Sequence, residues 1–189
     1  MNYLNTFTGR RFYPLRPDKE PANIIDIAHS LSMQSRFGGH LSVWYSVAQH
    51  CCHVHDLMPK RLKKYGILHD SPEFVMVDLP YPIKRLPTIY KAYKPIERKI
   101  ESSIFKAFGV KVTAADRKLL KDKENRLCQN EKQFFYNHDA SRSKKYKPFK
   151  GMVLESWSQS QAFGQFLLRY YNLTGDKIVL QYIEISEGL

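Results

Sequence analysis

Apolar residues recur at helical spacing along most of the 189-residue chain, and this pattern predicts a mainly α-helical fold. A first helix is predicted over 23–35. A second is predicted over 42–57, where Val43, Val47 and Val54 share one stripe. Both helices are amphipathic and are therefore expected to pack against a common core.

The middle of the chain is predicted to contain three further helices. The first of them begins after Pro59, and Ser71–Pro72 breaks or restarts it because proline lacks the amide donor. Residues 78–82 then form a rigid loop that is rich in proline. The other two helices are predicted over 89–108 and over 113–130.

Both ends of the chain depart from this pattern. Residues 1–22 are rich in proline and are predicted to form an extended arm that packs across the helices. Residues 139–151 form a basic loop without apolar periodicity. A last helix is predicted over 158–171, and a short strand over 177–185.

Length and composition predict one folded domain over residues 1–189, with its core at about 23–130. A chain of this length can bury roughly 70% of the surface that it exposes when unfolded, so intrinsic disorder is excluded as the main description. No apolar run approaches the roughly 20 residues of a membrane-spanning helix. The three cysteines do not form the pattern of a disulfide-stapled secreted protein. We therefore expect a cytoplasmic protein.

The net charge of +12 is consistent with three kinds of partner. A nucleic acid, an anionic membrane surface and a small polyphosphate substrate would all be attracted by it. The basic loop 141–150 and the aromatic arm at 10–16 favour a nucleic-acid-binding module. We consider that alternative weaker, because a run of charges is usually a solvated surface and no recognition-helix pattern is present.

Histidine and carboxylate residues suited to a divalent metal occur in three segments, at His50, at His69–Asp70 and at Asp116. Imidazole and carboxylate ligands together fit Mn, Fe, Co, Ni or Zn. If the second and third helices pack antiparallel, the two histidines lie at matching depths. A simpler role is open for each residue, because lone histidines often pack in cores and Thr113 with Asp116 matches a capping box.

The order and wording of these motifs resemble one known family, the HD-domain metal-dependent phosphohydrolases, and within it the nucleotidase branch. The chain is similar to bacterial 5′-deoxynucleotidases and to phage enzymes that hydrolyse dATP and other deoxynucleoside triphosphates. The resemblance covers roughly residues 9–126 and is carried by these segments: Arg36–Phe37, Ser46–His50, His69–Glu73, Asp78–Pro80 and Ala115–Arg117.

The resemblance implies an HD-domain helical bundle that binds one divalent metal ion. The implied ligands are His50, His69, Asp70 and Asp116. The implied metal is Co, Mn or Zn, with Fe or Ni as alternatives, and Mg would accompany the substrate phosphates.

The resemblance also implies roles for four residues near the metal. Glu73 would orient or deprotonate the attacking water, and Asp78 would assist it or bind the sugar hydroxyl. Arg36 would bind phosphate and Phe37 would lie against the nucleoside. Ordinary packing at a helix end is the alternative for Phe37.

Two further residues are candidates for substrate binding. Lys84 lies within reach of the site if its loop folds over it, with a solvated basic loop as the alternative, and Tyr45 would border the pocket unless it packs in the core. We expect hydrolysis of deoxynucleoside triphosphates, dATP first. The alternative is a 5′-deoxynucleotidase acting on monophosphates. We also expect a homo-oligomer without a membrane or nucleic-acid partner.

Overall fold

The computed structural model describes residues 2–136 and 145–187 and confirms the mainly α-helical prediction. Within these residues, no helix is both long and apolar enough to cross a membrane. The helices are α1 (Ile24–Ser32), α2 (Val47–Leu57), α3 (Lys63–Leu68), α4 (Glu73–Met76), α5 (Tyr81–Lys84), α6 (Pro87–Ala107), α7 (Ala114–Phe135), α8 (Gln159–Thr174) and α9 (Leu180–Glu187).

The N-terminal arm folds as a short antiparallel hairpin of β1 (Leu4–Asn5) and β2 (Arg11–Phe12). Its turn is fixed to α1, because the backbone N–H of Thr8 donates to Oδ1 of Asp26 at 2.7 Å. Phe12 is 2% exposed and packs edge-on against Phe74. The arm therefore covers one side of the helical body, as its sequence predicts.

Helix α2 lies at the centre of the molecule and contacts α1, α3, α7 and α8. The Ser46 hydroxyl accepts a hydrogen bond from the Gln49 N–H and so begins the helix at Val47. The helix was predicted to begin at 42. It begins later because the backbone around Ser46 pairs with the chain after α1: the Arg36 N–H donates to the Tyr45 carbonyl, and the Val47 N–H donates to the Gln34 carbonyl.

The close approach of α2 and α3 depends on Gly66. A Cβ atom at this position would lie 2.9 Å from the Cα of His55 and 3.0 Å from the Cγ of Met58. Only glycine therefore allows the two helices to pack at this distance. This packing brings the end of α3, which carries His69, beside the middle of α2, which carries His50.

The predicted break at Ser71–Pro72 is confirmed, since α4 begins directly after it. Helix α4 has four residues and ends at Val77, whose φ of 57° is in the left-handed region. The rigid loop predicted over 78–82 is shorter than expected. Pro82 occupies the first turn of α5, a position where proline needs no amide hydrogen.

Helices α6 and α7 occupy the regions predicted over 89–108 and 113–130. The predicted capping box of α7 is confirmed: the Thr113 hydroxyl accepts from the Asp116 N–H, and the Asp116 carboxylate accepts from the Thr113 N–H. Helix α7 continues to Phe135, which is 3% exposed and packs against Tyr45.

The prediction of a C-terminal strand is wrong. Lys177–Val179 form a turn of 3-10 helix that leads into α9, and the Asp176 carboxylate caps it by accepting from the Ile178 N–H. Val179 and Ile183, four residues apart, are buried against α8. The buried apolar residues of this segment therefore follow the four-residue spacing of a helix and not the two-residue alternation of a strand. Of the predicted basic loop, residues 139–144 lie outside the described residues.

Candidate metal centre

Four side chains from three helical segments meet at one buried point. His50 lies on α2, His69 and Asp70 directly follow α3, and Glu124 lies on α7. One ligand atom from each lies within 4.8 Å of the other three. Oδ2 of Asp70 is 3.2 Å from Nε2 of His69 and 3.8 Å from Nε2 of His50.

The two histidines present unpaired nitrogen atoms to this point. Nε2 of His50 and Nε2 of His69 are both buried and have no hydrogen-bond partner among the described residues. A buried polar atom without a partner is costly unless something absent from the protein chain satisfies it. Two imidazole nitrogens and two carboxylates are a donor set that fits a divalent transition-metal ion.

The opposite nitrogen of each ring is already hydrogen-bonded. Nδ1 of His69 lies 2.8 Å from the Gly66 carbonyl oxygen, which accepts its proton. Nδ1 of His50 lies 2.6 Å from Oε1 of Glu131, a side chain that is fully buried. These contacts turn both Nε2 atoms towards Asp70, the arrangement that metal-binding histidines adopt.

Glu131 is held by three donors. Besides His50, the Tyr45 hydroxyl donates to it at 2.8 Å and Nη2 of Arg36 donates at 3.2 Å. Burial alone would raise the pKa of the Glu131 carboxyl, but Arg36, His50 and Tyr45 lower it to about 2. Tyr45 was predicted to border the substrate pocket. The structure instead places it in the core, 0% exposed, with its hydroxyl on Glu131.

The structure does not bring Asp116 to the cluster. Its Oδ2 accepts from the Thr113 backbone and hydroxyl, and its Oδ1 accepts from Nη2 of Arg61 at 2.7 Å. Both oxygens are thus committed at the N-terminus of α7. The prediction of Asp116 as a ligand is corrected accordingly: Glu124, eight residues later, completes the cluster with His50, His69 and Asp70.

Glu124 and Glu131 are not among the residues predicted for the site, although the sequence carries a signal for both. Leu120, Glu124, Leu127 and Glu131 follow one face of α7 at spacings of four, three and four residues. Leu120 and Leu127 are buried on that face. Acidic residues at core positions of an amphipathic helix need a charged or polar partner, and here the partners are the two histidines.

Glu73 and Asp78 lie beside the cluster. Glu73 is 6% exposed, and its Oε2 has no hydrogen-bond partner among the described residues. Burial, followed by the charges of Asp70 and Asp78, raises the pKa of the Glu73 carboxyl well above its usual range. Burial also raises the pKa of Asp78, which Arg36 partly offsets. A carboxylate with a raised pKa binds a proton more strongly than an ordinary carboxylate does.

Arg36 and Phe37 lie at the turn between α1 and α2. Nη1 of Arg36 is 3.9 Å from Oδ2 of Asp70, so this guanidinium extends from Glu131 to the cluster. Phe37 adopts a φ of 54° and packs edge-on against Tyr136 with ring centroids 5.7 Å apart. The Phe37 side chain is only partly buried.

A cavity of about 260 Å³ opens beside the cluster. It is lined by His69, Asp70, Glu73 and Glu124, together with cationic residues that each contact a carboxylate. These ion pairs are Lys84 with Glu97 at 2.7 Å, Lys94 with Glu97, Arg117 with Glu101 at 3.0 Å and Lys121 with Glu124 at 3.3 Å. The positive charge of this cavity is therefore largely compensated by the protein itself.

Two curated relatives match about half of the chain. Uncharacterized protein YfdR of Escherichia coli (strain K12) is 40% identical over 110 residues, which are 58% of this chain and 60% of that protein. Uncharacterized protein RCAP_rcc00048 of Rhodobacter capsulatus is 31% identical over 112 residues, 54% of this chain and 56% of that protein. The match thus spans less than two thirds of either relative.

A family model described as "5′-deoxynucleotidase YfbR-like" matches residues 24–140. This range contains His50, His69, Asp70 and Glu124. The predicted resemblance to the nucleotidase branch of the HD-domain phosphohydrolases is confirmed. Because the match covers more than half of the 189 residues, the chain belongs to the YfbR-like 5′-deoxynucleotidase family.

Proposed function

We propose that the protein hydrolyses the phosphate ester of deoxynucleoside 5′-monophosphates in a reaction that requires a divalent metal ion. The observation that carries the proposal is the cluster of His50, His69, Asp70 and Glu124 beside Glu73, whose Oε2 has no hydrogen-bond partner among the described residues. The family match supports the class of reaction. The metal is proposed to be Mn, Co or Zn, since these ions accept mixed imidazole and carboxylate ligands.

The metal ion and Glu73 would each contribute to the activation of water. A bound divalent ion would polarise a phosphoryl oxygen and lower the pKa of bound water. Glu73, with Oε2 unpaired and with a raised pKa, would accept the proton of the attacking water. Asp78, which is close enough to Arg36 for the guanidinium charge to offset part of the rise in its pKa that burial causes, would assist Glu73 or bind the sugar.

Two cationic residues are proposed to hold the phosphate. Arg36 reaches the cluster with Nη1, while its Nη2 is fixed by Glu131, so the guanidinium is oriented before substrate arrives. Lys84 lies 3.9 Å from Oε1 of Glu73 and is paired with Glu97. Phe37, whose side chain is partly buried, is proposed to lie against the nucleoside.

Monophosphates are favoured over triphosphates as substrates. The similarity to the phage enzymes and the abundance of basic residues favour triphosphates, but the cations of the cavity are paired with carboxylates. The charge of a metal ion would offset the charge of one phosphate group. The two further phosphate groups of a triphosphate would lie near Glu97 and Glu101 on the cavity wall, and these carboxylates would repel them. The family match favours the monophosphate alternative as well.

A substrate panel tests the proposal. The protein is incubated with Mn, Co or Zn and with dAMP, dGMP, dCMP, dTMP, AMP or dATP, and free phosphate and tripolyphosphate are measured. We expect phosphate from the deoxynucleoside monophosphates. Tripolyphosphate from dATP, with intact monophosphates, would instead support the triphosphatase. Retention on single-stranded DNA without any hydrolysis would favour the nucleic-acid-binding alternative.

The variant Glu73→Gln separates chemistry from metal binding. It should retain the metal and lose roughly 10² to 10⁴ of the rate, the usual effect of removing a general base. Glu101→Gln is the matched control, because Glu101 lines the same cavity but is bound to Arg117. Full activity of Glu73→Gln would contradict the role given to Glu73.

A further inference from the structure

The side-chain amide of Gln34 binds the backbone at both ends of the segment from Glu73 to Asp78. Nε2 of Gln34 donates to the carbonyl oxygen of Glu73 at 3.0 Å. Oε1 of Gln34 accepts from the backbone N–H of Asp78 at 3.3 Å. Gln34 lies just after α1 and is distant in sequence from both residues. One amide thus joins both ends of the segment that carries the two carboxylates.

This segment needs external support. Helix α4 has only four residues, and a helix of this length is not stable on its own. Val77, which follows it, adopts φ 57° and ψ 160°, a conformation that a β-branched residue takes only when its surroundings impose it. The Val77 side chain is 52% exposed, so packing of that side chain does not impose the conformation. We therefore attribute the conformation of Val77 to the hydrogen bonds that the backbone of this segment makes.

Gln34 is itself fixed in place. Its Nε2 also lies 3.1 Å from the hydroxyl oxygen of Ser30, and that hydroxyl donates to the Phe74 carbonyl at 2.7 Å. On the other side of the segment, the Tyr93 hydroxyl donates to the Val77 carbonyl at 3.3 Å. Two successive carbonyls of α4, those of Glu73 and Phe74, are thus bound from α1 and the residues that follow it.

We propose that Gln34 is a positioning residue, which fixes the direction of the Glu73 carboxylate relative to Asp78 and to the metal cluster. Oε2 of Glu73 has no hydrogen-bond partner among the described residues, and Oε1 has only the 3.9 Å contact with Lys84, so the backbone that Gln34 binds helps to set the direction of the carboxylate. The catalytic part of this inference rests on the proposed function. The structural part, that Gln34 holds the segment, does not.

The substitution Gln34→Met tests both parts, because methionine has similar length but no amide. Gln181→Met, an exposed position on α9, is the matched control. We expect the amide of Asp78 to exchange with deuterium at least about tenfold faster in Gln34→Met, because its acceptor is lost. We expect kcat on deoxynucleoside monophosphates to fall by about ten- to a hundredfold, with KM changed by less than about twofold.

A double-mutant cycle separates positioning from a general loss of structure. If Gln34 acts through Glu73, Gln34→Met should cause little further loss of rate in the Glu73→Gln background. Equal losses in both backgrounds would overturn the positioning role. Faster exchange with unchanged kcat would overturn it as well, and unchanged exchange at Asp78 would overturn the structural part.

Two safeguards keep the outcome clear. If Gln34→Met does not fold, Gln34→Glu replaces it, since glutamate keeps the acceptor for the Asp78 N–H and loses the donor to Glu73. Gln34→Glu should then preserve slow exchange of the Asp78 amide and should still lower kcat. The exchange measurement needs no substrate. A wild type that hydrolyses no nucleotide would therefore contradict the proposed function, while exchange would still decide whether Gln34 holds the segment.

Discussion

Nδ1 of His50 lies 2.6 Å from Oε1 of Glu131, and the two side chains are 1% and 0% exposed. An ionised carboxylate can only accept a hydrogen bond, so this contact favours the tautomer of the neutral ring that has its proton on Nδ1 and its lone pair on Nε2. Nε2 is the atom that faces Asp70 and the cluster. Glu131 therefore prepares His50 to bind a cation without touching the cation site.

Replacing Glu131 should weaken metal binding. In Glu131→Gln, the tautomer of His50 is no longer fixed, and the affinity for Mn or Co should fall by about 10- to 100-fold. Isothermal titration of the metal-free protein measures this loss. Asp122→Asn is the matched control, since Asp122 is exposed on the same helix. Unchanged affinity in a folded Glu131→Gln variant would show that Glu131 only fills the core.

The fourth ligand can be identified by comparing two substitutions on α7. Glu124→Gln should lose most of the bound metal, because Glu124 is the α7 carboxylate that belongs to the cluster, 3.5 Å from Nε2 of His69. Asp116→Asn should keep the metal and lower the melting temperature, because it disrupts the cap with Thr113 and the ion pair with Arg61. Metal content by mass spectrometry and thermal unfolding report the two effects. The reverse pattern would restore Asp116 as the ligand.

A methyl group at residue 66 should disturb the site from a distance. In Gly66→Ala, the new Cβ would meet the backbone of His55 at 2.9 Å and force α3 away from α2. We expect a loss of roughly 1–3 kcal/mol in the free energy of unfolding, as for other overpacked interiors. We also expect weaker metal binding, because His69 follows α3. Lys118→Ala, at an exposed position of α7, serves as a control for the stability measurement.

The stability of the protein should depend on His53 between pH 6.5 and 4. Burial lowers the pKa of His53 from 6.5 to about 4. The unfolded chain therefore binds a proton in this range that the folded chain does not, so stability falls as pH falls. The contribution is at most about 3 kcal/mol. Denaturant unfolding at several pH values should show a smaller loss in His53→Gln than in the wild type. An identical dependence in both would contradict the assignment.

The sequence predicts the helical class and three of the four residues of the cluster, because these depend on local patterns. Helical apolar spacing places α1, α2, α6 and α7 to within a few residues. The motif at His69–Asp70 lies at the end of a helix, and its position is fixed by the break at Ser71–Pro72. Such features are decided by residues close together in the chain.

The remaining features depend on contacts between distant residues. Asp116 fits two roles equally well in sequence, and the capping role is realised because Arg61, 55 residues earlier, binds its second oxygen. Gln34 has no motif, and its contacts with Glu73 and Asp78 exist only because α1 packs on α4. The C-terminal helix differs from the predicted strand because α8 offers it a surface to bury Val179 and Ile183.

The cluster draws on α2, on the end of α3 and on α7, so an ion bound there would act as a cross-link between three segments. Without such a link, α7 is joined to α2 at this level by the buried contact of Glu131 with His50. Loading the site adds a free energy that grows with the ratio of metal concentration to Kd. The four side chains of the proposed metal site would therefore make the protein's resistance to heat depend on the concentration of metal around it.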